Sequence, residues 1–113
     1  LDDLSLAEVH DCFTVAELLM YEAMGITAEG EGARAIAEGW TEKDGKLPVN
    51  PSGGLKSKGH PVGATGVSMH VLAAQQVTGT AGPIQVPGAE LAAVFNMGGA
   101  MVANYASILQ ALR

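Results

Sequence analysis

A helical spacing of apolar residues, Val15, Leu18, Leu19 and Met20, follows a polar Thr14. Thr14 with Glu17 three residues later has the form of a capping box, and Gly25 stands where a left-handed residue closes a helix. The pattern therefore predicts a helix opening at Thr14 and closed by Gly25. Before it, residues 7–11 read as a short strand. A second helix is predicted from about Gly30 to Glu38, with Ala33, Ile36 and Ala37 on one side and Gly39 at its end. Leu47–Asn50 reads as an extended segment that Pro48 confines to a sheet edge or a strand start. Residues 51–66 contain Gly53, Gly54, Gly59, Gly63 and Gly66 with Pro51 and Pro61. No core element is built this way, and the glycines allow close backbone approach. A third helix, about Ala64 to Thr78, is apolar nearly all round, the pattern of a buried helix. After a loop over 79–90, Leu91–Phe95 and Ala100–Leu109 read as strands. The intervening Asn96-Met97-Gly98-Gly99 reads as the turn of an antiparallel hairpin. The order of elements is that of a layered α/β domain occupying residues 1–113, without an internal repeat.

Composition sharpens this picture. Apolar residues make up 48% of the 113, enough for a core, and charged residues only 16%. So little charge on a small domain suggests that part of its surface is covered by something else. The net charge is −6, with no basic patch of the kind a nucleic-acid binder carries. Charge is unevenly spread: from Gly45 to Ala89 there is no acid, only Lys46, Lys56 and Lys58. Those lysines are either a solvated face or neighbours of an anionic ligand. No apolar run is long enough to span a membrane, and no targeting or lipidation motif is visible. With one free cysteine, this sets the expectation of a reducing, cytoplasmic setting.

Three places offer chemistry. His10 ends the first strand in Val9-His10-Asp11-Cys12-Phe13, and His60 lies in the glycine loop as Gly59-His60-Pro61. Strand ends and helix-leading loops are where α/β proteins hold ligands. Cys12 stands two residues from His10 at a helix start, a setting that favours the anionic form of a cysteine; equally, a lone cysteine is often a small buried hydrophobe. The Gly98-Gly99 pair could aim backbone N–H groups into a site. His70 falls inside the third helix and reads as packed or surface-lying. His10, Asp11, Cys12 and His60 lack the paired spacing of a zinc site, and residues 59–66 lack the Gly-Lys-Ser/Thr ending of a phosphate loop. The kit suits acyl or proton transfer and names no substrate.

Three segments in order resemble the C-terminal domain of thiolases: Glu8-Val9-His10-Asp11-Cys12-Phe13-Thr14, then Asn50-Pro51-Ser52-Gly53-Gly54 running on to Lys58-Gly59-His60-Pro61-Val62-Gly63-Ala64-Thr65-Gly66, then Asn96-Met97-Gly98-Gly99-Ala100. The His-Asp-Cys-Phe form is similar to the sterol-carrier-protein-type thiolases; commoner thiolases have Asn-Glu-Ala-Phe there. The resemblance implies one half, the C-terminal one, of a two-half layered fold with a helix buried between layers. It implies thioester Claisen condensation or thiolysis on coenzyme A thioesters as substrates, with no bound cofactor or metal. By that resemblance His60 activates an acyl-accepting cysteine, His10 helps bind the thioester oxygen, Cys12 moves the proton, and Gly98 joins an oxyanion hole. Asn96, Met97, Ser52 and Gly53 become candidate substrate contacts. Lys56 and Lys58 become candidate contacts to coenzyme A, a subordinate role because the family binds it largely through the other half.

Asn96 stands where common thiolases carry their second cysteine, so proton transfer would fall to Cys12. The acyl-accepting cysteine is missing from these residues, which implies a longer polypeptide or a partner chain, and a homo-oligomer when complete. Two other readings stay open: a thiolase-fold aldolase on steroid side-chain coenzyme A thioesters, and a non-catalytic acyl-coenzyme A-binding or scaffold subunit.

Overall fold

The computed structural model describes residues 1–112. Along the chain lie β1 (Leu6–Val9), α1 (Thr14–Ala23), α2 (Gly32–Ala37), α3 (Gly54–Lys58), α4 (Thr65–Val77), a 3-10 turn (Gly82–Ile84), β2 (Leu91–Gly98) and β3 (Ala103–Gln110). The sheet has the order β1-β2-β3, with β1 parallel and β3 antiparallel to β2. Val49 adds an isolated parallel bridge to Ala7 on the free side of β1. The extended segment before Asn50 is thus an edge, as Pro48 requires.

Both faces of β2 are buried, which is why Leu91–Phe95 reads as an unbroken apolar run. Ala93 and Met97 pack with Met20 of α1 and Ala35 of α2; Ala92 and Val94 pack with Met69 and Ala73 of α4. The result is three layers, helix pair, sheet and helix. In α4, Met69 and Ala73 are fully buried, whereas Val67 is 66% exposed on the opposite face and Val71 is also exposed. The apolar girdle of this helix therefore has one packed face and one open face within this chain.

Helix ends follow the glycines closely. The Gly25 N–H donates to the Glu22 carbonyl at 2.9 Å and the Ile26 N–H to the Tyr21 carbonyl at 2.8 Å, the paired bonds of a Schellman end. The same pair recurs around Gly39 after α2 and Gly79 after α4. The start of α1 departs from expectation. Extended Phe13 occupies the cap position without a side-chain hydrogen bond, and Thr14 is already helical. Glu17 accepts a bond from Asn50 Nδ2 at 3.1 Å instead of closing a capping box.

Two further differences bear on the site. Strand β2 continues through Asn96 and Met97 to Gly98, paired with Tyr105, Asn104 and Ala103, so the turn comes later than the glycines suggest. Its left-handed positions include Ala100 (φ 54°) and Met101 (φ 70°). And the glycine-rich stretch holds a real element, α3. Gly53 (φ 85°) and Gly54 (φ 65°) open it, and a Cβ at position 54 would collide with the Asp11 carboxylate.

Candidate functional site

Strand β1 delivers the first histidine. The His10 N–H donates to the Phe95 carbonyl at 3.0 Å, so the ladder runs past the strand end and His10 is only 6% exposed. Its Nδ1–H donates to Asn96 Oδ1 at 2.9 Å. An amide oxygen only accepts, so the proton sits on Nδ1 and the neutral ring keeps its lone pair on Nε2. Asn96 is in turn held against α4: a Cβ on Gly66 would lie 2.6 Å from Asn96 Nδ2. The glycine is what lets helix and strand come this close.

The second histidine leaves α3 through Gly59 (φ 84°). The buried Thr65 hydroxyl donates to the Pro61 carbonyl at 3.3 Å, and so accepts from His60 Nδ1–H at 2.7 Å. A hydroxyl has one proton, so this arrangement again leaves the Nε2 lone pair uncommitted. The two imidazoles meet edge to face, with centroids 5.0 Å apart and planes at 83°.

Around them opens a cleft of about 1130 Å³ lined by His10, Cys12, His60, Asn96, Met97 and Gly98, among others. Its rim includes Phe13, Val62, Met101 and Tyr105, all exposed apolar or aromatic residues. A side chain at Gly98 would stand in open space. Half-buried Cys12 borders both the cleft and the core on the α1 side. Segments far apart in sequence thus bring their chemistry to one place.

Ser52, Gly53, Lys56 and Lys58 lie outside the lining of that cleft. Gly53 starts α3, and Lys56 is exposed. The Ser52 hydroxyl donates to Glu8 Oε2 at 2.8 Å, and Lys58 Nζ lies 3.3 Å from the same oxygen. Lys46 rests over the Trp40 ring at 3.3 Å. The acid-free stretch of sequence therefore does not form a continuous cationic patch. Among the described residues there is no group of three or more side chains placed to hold a metal ion, and no helix is long and apolar enough to cross a membrane.

Some contributors escape a reading of the sequence. Thr65 fixes His60; the sequence places it in the motif that carries His60 but gives no sign of the bond it makes. His70, read as packed or surface-lying, lines the cleft. Its Nδ1–H donates to the Gly66 carbonyl at 2.7 Å and its Nε2 accepts from the Ser107 hydroxyl at 3.0 Å, tying α4 to β3. Asn50, with φ 50°, accepts from the Val9 N–H at 2.8 Å and donates to Glu17, linking β1 and α1.

The result is a three-layer α/β domain that brings paired histidines together from a strand end and a loop. The chain belongs to the thiolase C-terminal domain-like family, whose model matches residues 1–111. It is 50% identical over 97 residues to an acetyl-CoA acetyltransferase of Methanothermobacter thermautotrophicus, covering 86% of this chain and 25% of that protein. It is 48% identical over 97 residues to human sterol carrier protein 2, covering 86% of this chain and 18% of that one. Among solved structures it is similar to an Ltp2-ChsH2(DUF35) aldolase, with TM-score 0.82 and 29% identity over 97% of this chain and 27% of that chain. The chain thus spans about a quarter or less of the length of these relatives.

Proposed function

We propose that this domain supplies the acid–base and oxyanion half of a thiolase-type site acting on coenzyme A thioesters. The observation that carries the reading is the edge-to-face His10–His60 pair, each ring anchored through Nδ1 beside Cys12 and Gly98. The acyl-accepting cysteine comes from another part of the polypeptide or from a partner chain. His60 takes that thiol's proton on Nε2, and the thiolate attacks the thioester carbonyl. The carbonyl oxygen becomes an oxyanion, the tetrahedral centre collapses, and coenzyme A leaves as a thiol with the returned proton. The Gly98 N–H stabilises one oxyanion directly; His10, whose Nε2 is an acceptor, helps hold the other through a water that donates to both. In the condensing direction Cys12, as thiolate, removes a proton from Cα of a second thioester. The resulting carbanion attacks the acyl group and expels the nucleophilic cysteine. Asn96 holds His10, and Met97 lines the acyl-binding wall. Ser52, Gly53 and Lys58 serve through the loop that carries His60, and exposed Lys56 remains a candidate contact to coenzyme A. Coenzyme A is a co-substrate and no resident cofactor is required.

In the full-length polypeptide, His60→Ala is expected to reduce acyl transfer by about 10²–10⁴-fold, the usual worth of a positioned acid–base group. Cys12→Ser is expected to block condensation while acylation of the nucleophile stays detectable by intact mass. Full condensation activity in Cys12→Ser would remove the proton shuttle from the scheme. The structural similarity to an aldolase favours a second reading, carbon–carbon cleavage without an acyl-enzyme. No acylated peptide would form in that case, so the same mass measurement separates the two.

A further inference from the structure

We infer that the Glu8–Lys58 ion pair is a positioning device that sets His60 against His10, and that Lys58 acts through this pair rather than on the substrate. The inference deepens the thiolase-type reading and depends on it for its kinetic readout. Glu8 is 1% exposed, and the Lys58 side chain 18%. Charges this far from water are placed at a cost, and each needs its partner. Glu8 Oε2 takes both Lys58 Nζ at 3.3 Å and the Ser52 hydroxyl at 2.8 Å; Oε1 takes the Ser52 N–H at 3.3 Å. One carboxylate therefore grips the loop before α3 and the last residue of α3.

The placement is what gives this grip a role. Glu8 precedes His10 by two residues on β1, and Lys58 precedes His60 by two residues. Strand β1 is fixed by β2 on one side and by the Val49 segment on the other. The N-terminal end of α3 is held separately, because Asp11 accepts the Leu55 N–H at 2.9 Å. Its exit is a left-handed Gly59, a free joint between Lys58 and His60. Of these restraints, the ion pair is the one that indexes the exit of α3 to the strand that ends in His10. Thr65 then sets the ring orientation of His60, but not the path of the loop before it.

The test uses Lys58→Met, Lys58→Arg and the double variant Glu8→Gln/Lys58→Met in the full-length polypeptide. Turnover of a coenzyme A thioester, thermal midpoint and histidine ring NMR signals are recorded for each. Lys58→Met is expected to lower kcat by about 10–100-fold, the scale of a small misplacement of reacting groups. KM for the thioester should change by no more than about twofold. Lys58→Arg should restore most of the rate. The double variant leaves no buried charge alone and covers the case in which Lys58→Met does not fold. It should hold the thermal midpoint without recovering kcat. A rise in KM at unchanged kcat would overturn the inference and make Lys58 a contact to coenzyme A. Full kcat in the double variant would also overturn it, reducing the pair to a matter of stability. If no thioester is turned over by the parent protein, the functional reading fails by itself. The NMR measurement then still decides: His60 signals unmoved by Lys58→Met would overturn the positioning role.

Discussion

Glu17 illustrates how far one residue's chemistry depends on what folds over it. Its place three residues after Thr14 suggests a capping role, yet it turns toward Asn50 Nδ2 at 3.1 Å. Burial raises its pKa above the ordinary value, the nearby Asp11 and Glu8 add to that, and hydrogen bonds from Tyr21 and Asn50 oppose it. The folded chain thus keeps this proton to higher pH than the unfolded chain does. Between the two pKa values the folded state binds more protons, so stability falls as pH rises through that window and then levels. Glu17→Gln keeps an oxygen for Asn50 and removes the charge. Its unfolding free energy, followed with urea across the weakly acidic range, should lack this downward step. Parallel curves for parent and variant would show that Glu17 is not the group responsible. At this scale the candidate site residues His10, Cys12 and His60 were legible as such, because they sit in motifs. Thr65, Asn96 and Asn50 sit in the same motifs, but their part as holders was not legible, because it rests on contacts that only the fold creates.

Between elements, the close approach of α4 and β2 is the feature on which the site depends most. Gly66 lies in the first turn of α4, where alanine would favour an isolated helix by about 1 kcal/mol. Here the added Cβ would lie 2.6 Å from Asn96 Nδ2, a separation real side chains do not tolerate. Asn96 cannot yield freely, since its oxygen holds His10 and its strand is paired on both sides. Gly66→Ala is therefore expected to lose stability despite the better helix former, by about 1–3 kcal/mol as an overpacking change. It should also lower activity, because His10 loses its anchor. A thermal midpoint raised above that of the parent would mean that α4 and β2 can slide apart. The helix ends were legible for a local reason: Gly25, Gly39 and Gly79 each close a helix with bonds formed inside a few residues. The hairpin was displaced for a non-local one. Strand pairing carries β2 on to Gly98 and forces the left-handed positions onto Ala100 and Met101, residues that give no such signal. Likewise α3 is hidden in a glycine-rich stretch because its start is held by Asp11 from another segment.

At the scale of the whole molecule, several exposed apolar residues line the cleft. Phe13 and Val15 at the start of α1, Val62 in the glycine loop, Val67 on the open face of α4 and Tyr105 on β3 all line it and are exposed. An apolar area of this breadth marks an interaction surface rather than a solvent face. The same conclusion follows from the 16% charged content, too low for a small domain with all its surface in water. The chain also spans only 18% to 25% of the relatives it is similar to. On the proposed function, a further part of the polypeptide or a partner chain is expected to cover this face in the complete protein, closing the cleft over His10 and His60 and excluding water from it. Val67→Cys and Tyr105→Cys should then react slowly with a thiol reagent in the full-length protein and quickly in the 113-residue chain. Glu42→Cys, in an exposed polar turn, should react quickly in both. Labelling read site by site with mass spectrometry separates these positions from native cysteines. Equal rates at 67 and 105 in both forms would show an open face. The two histidines would then work in bulk water, where oxyanion stabilisation is weak, and a shared thiolase-type site would lose its physical basis.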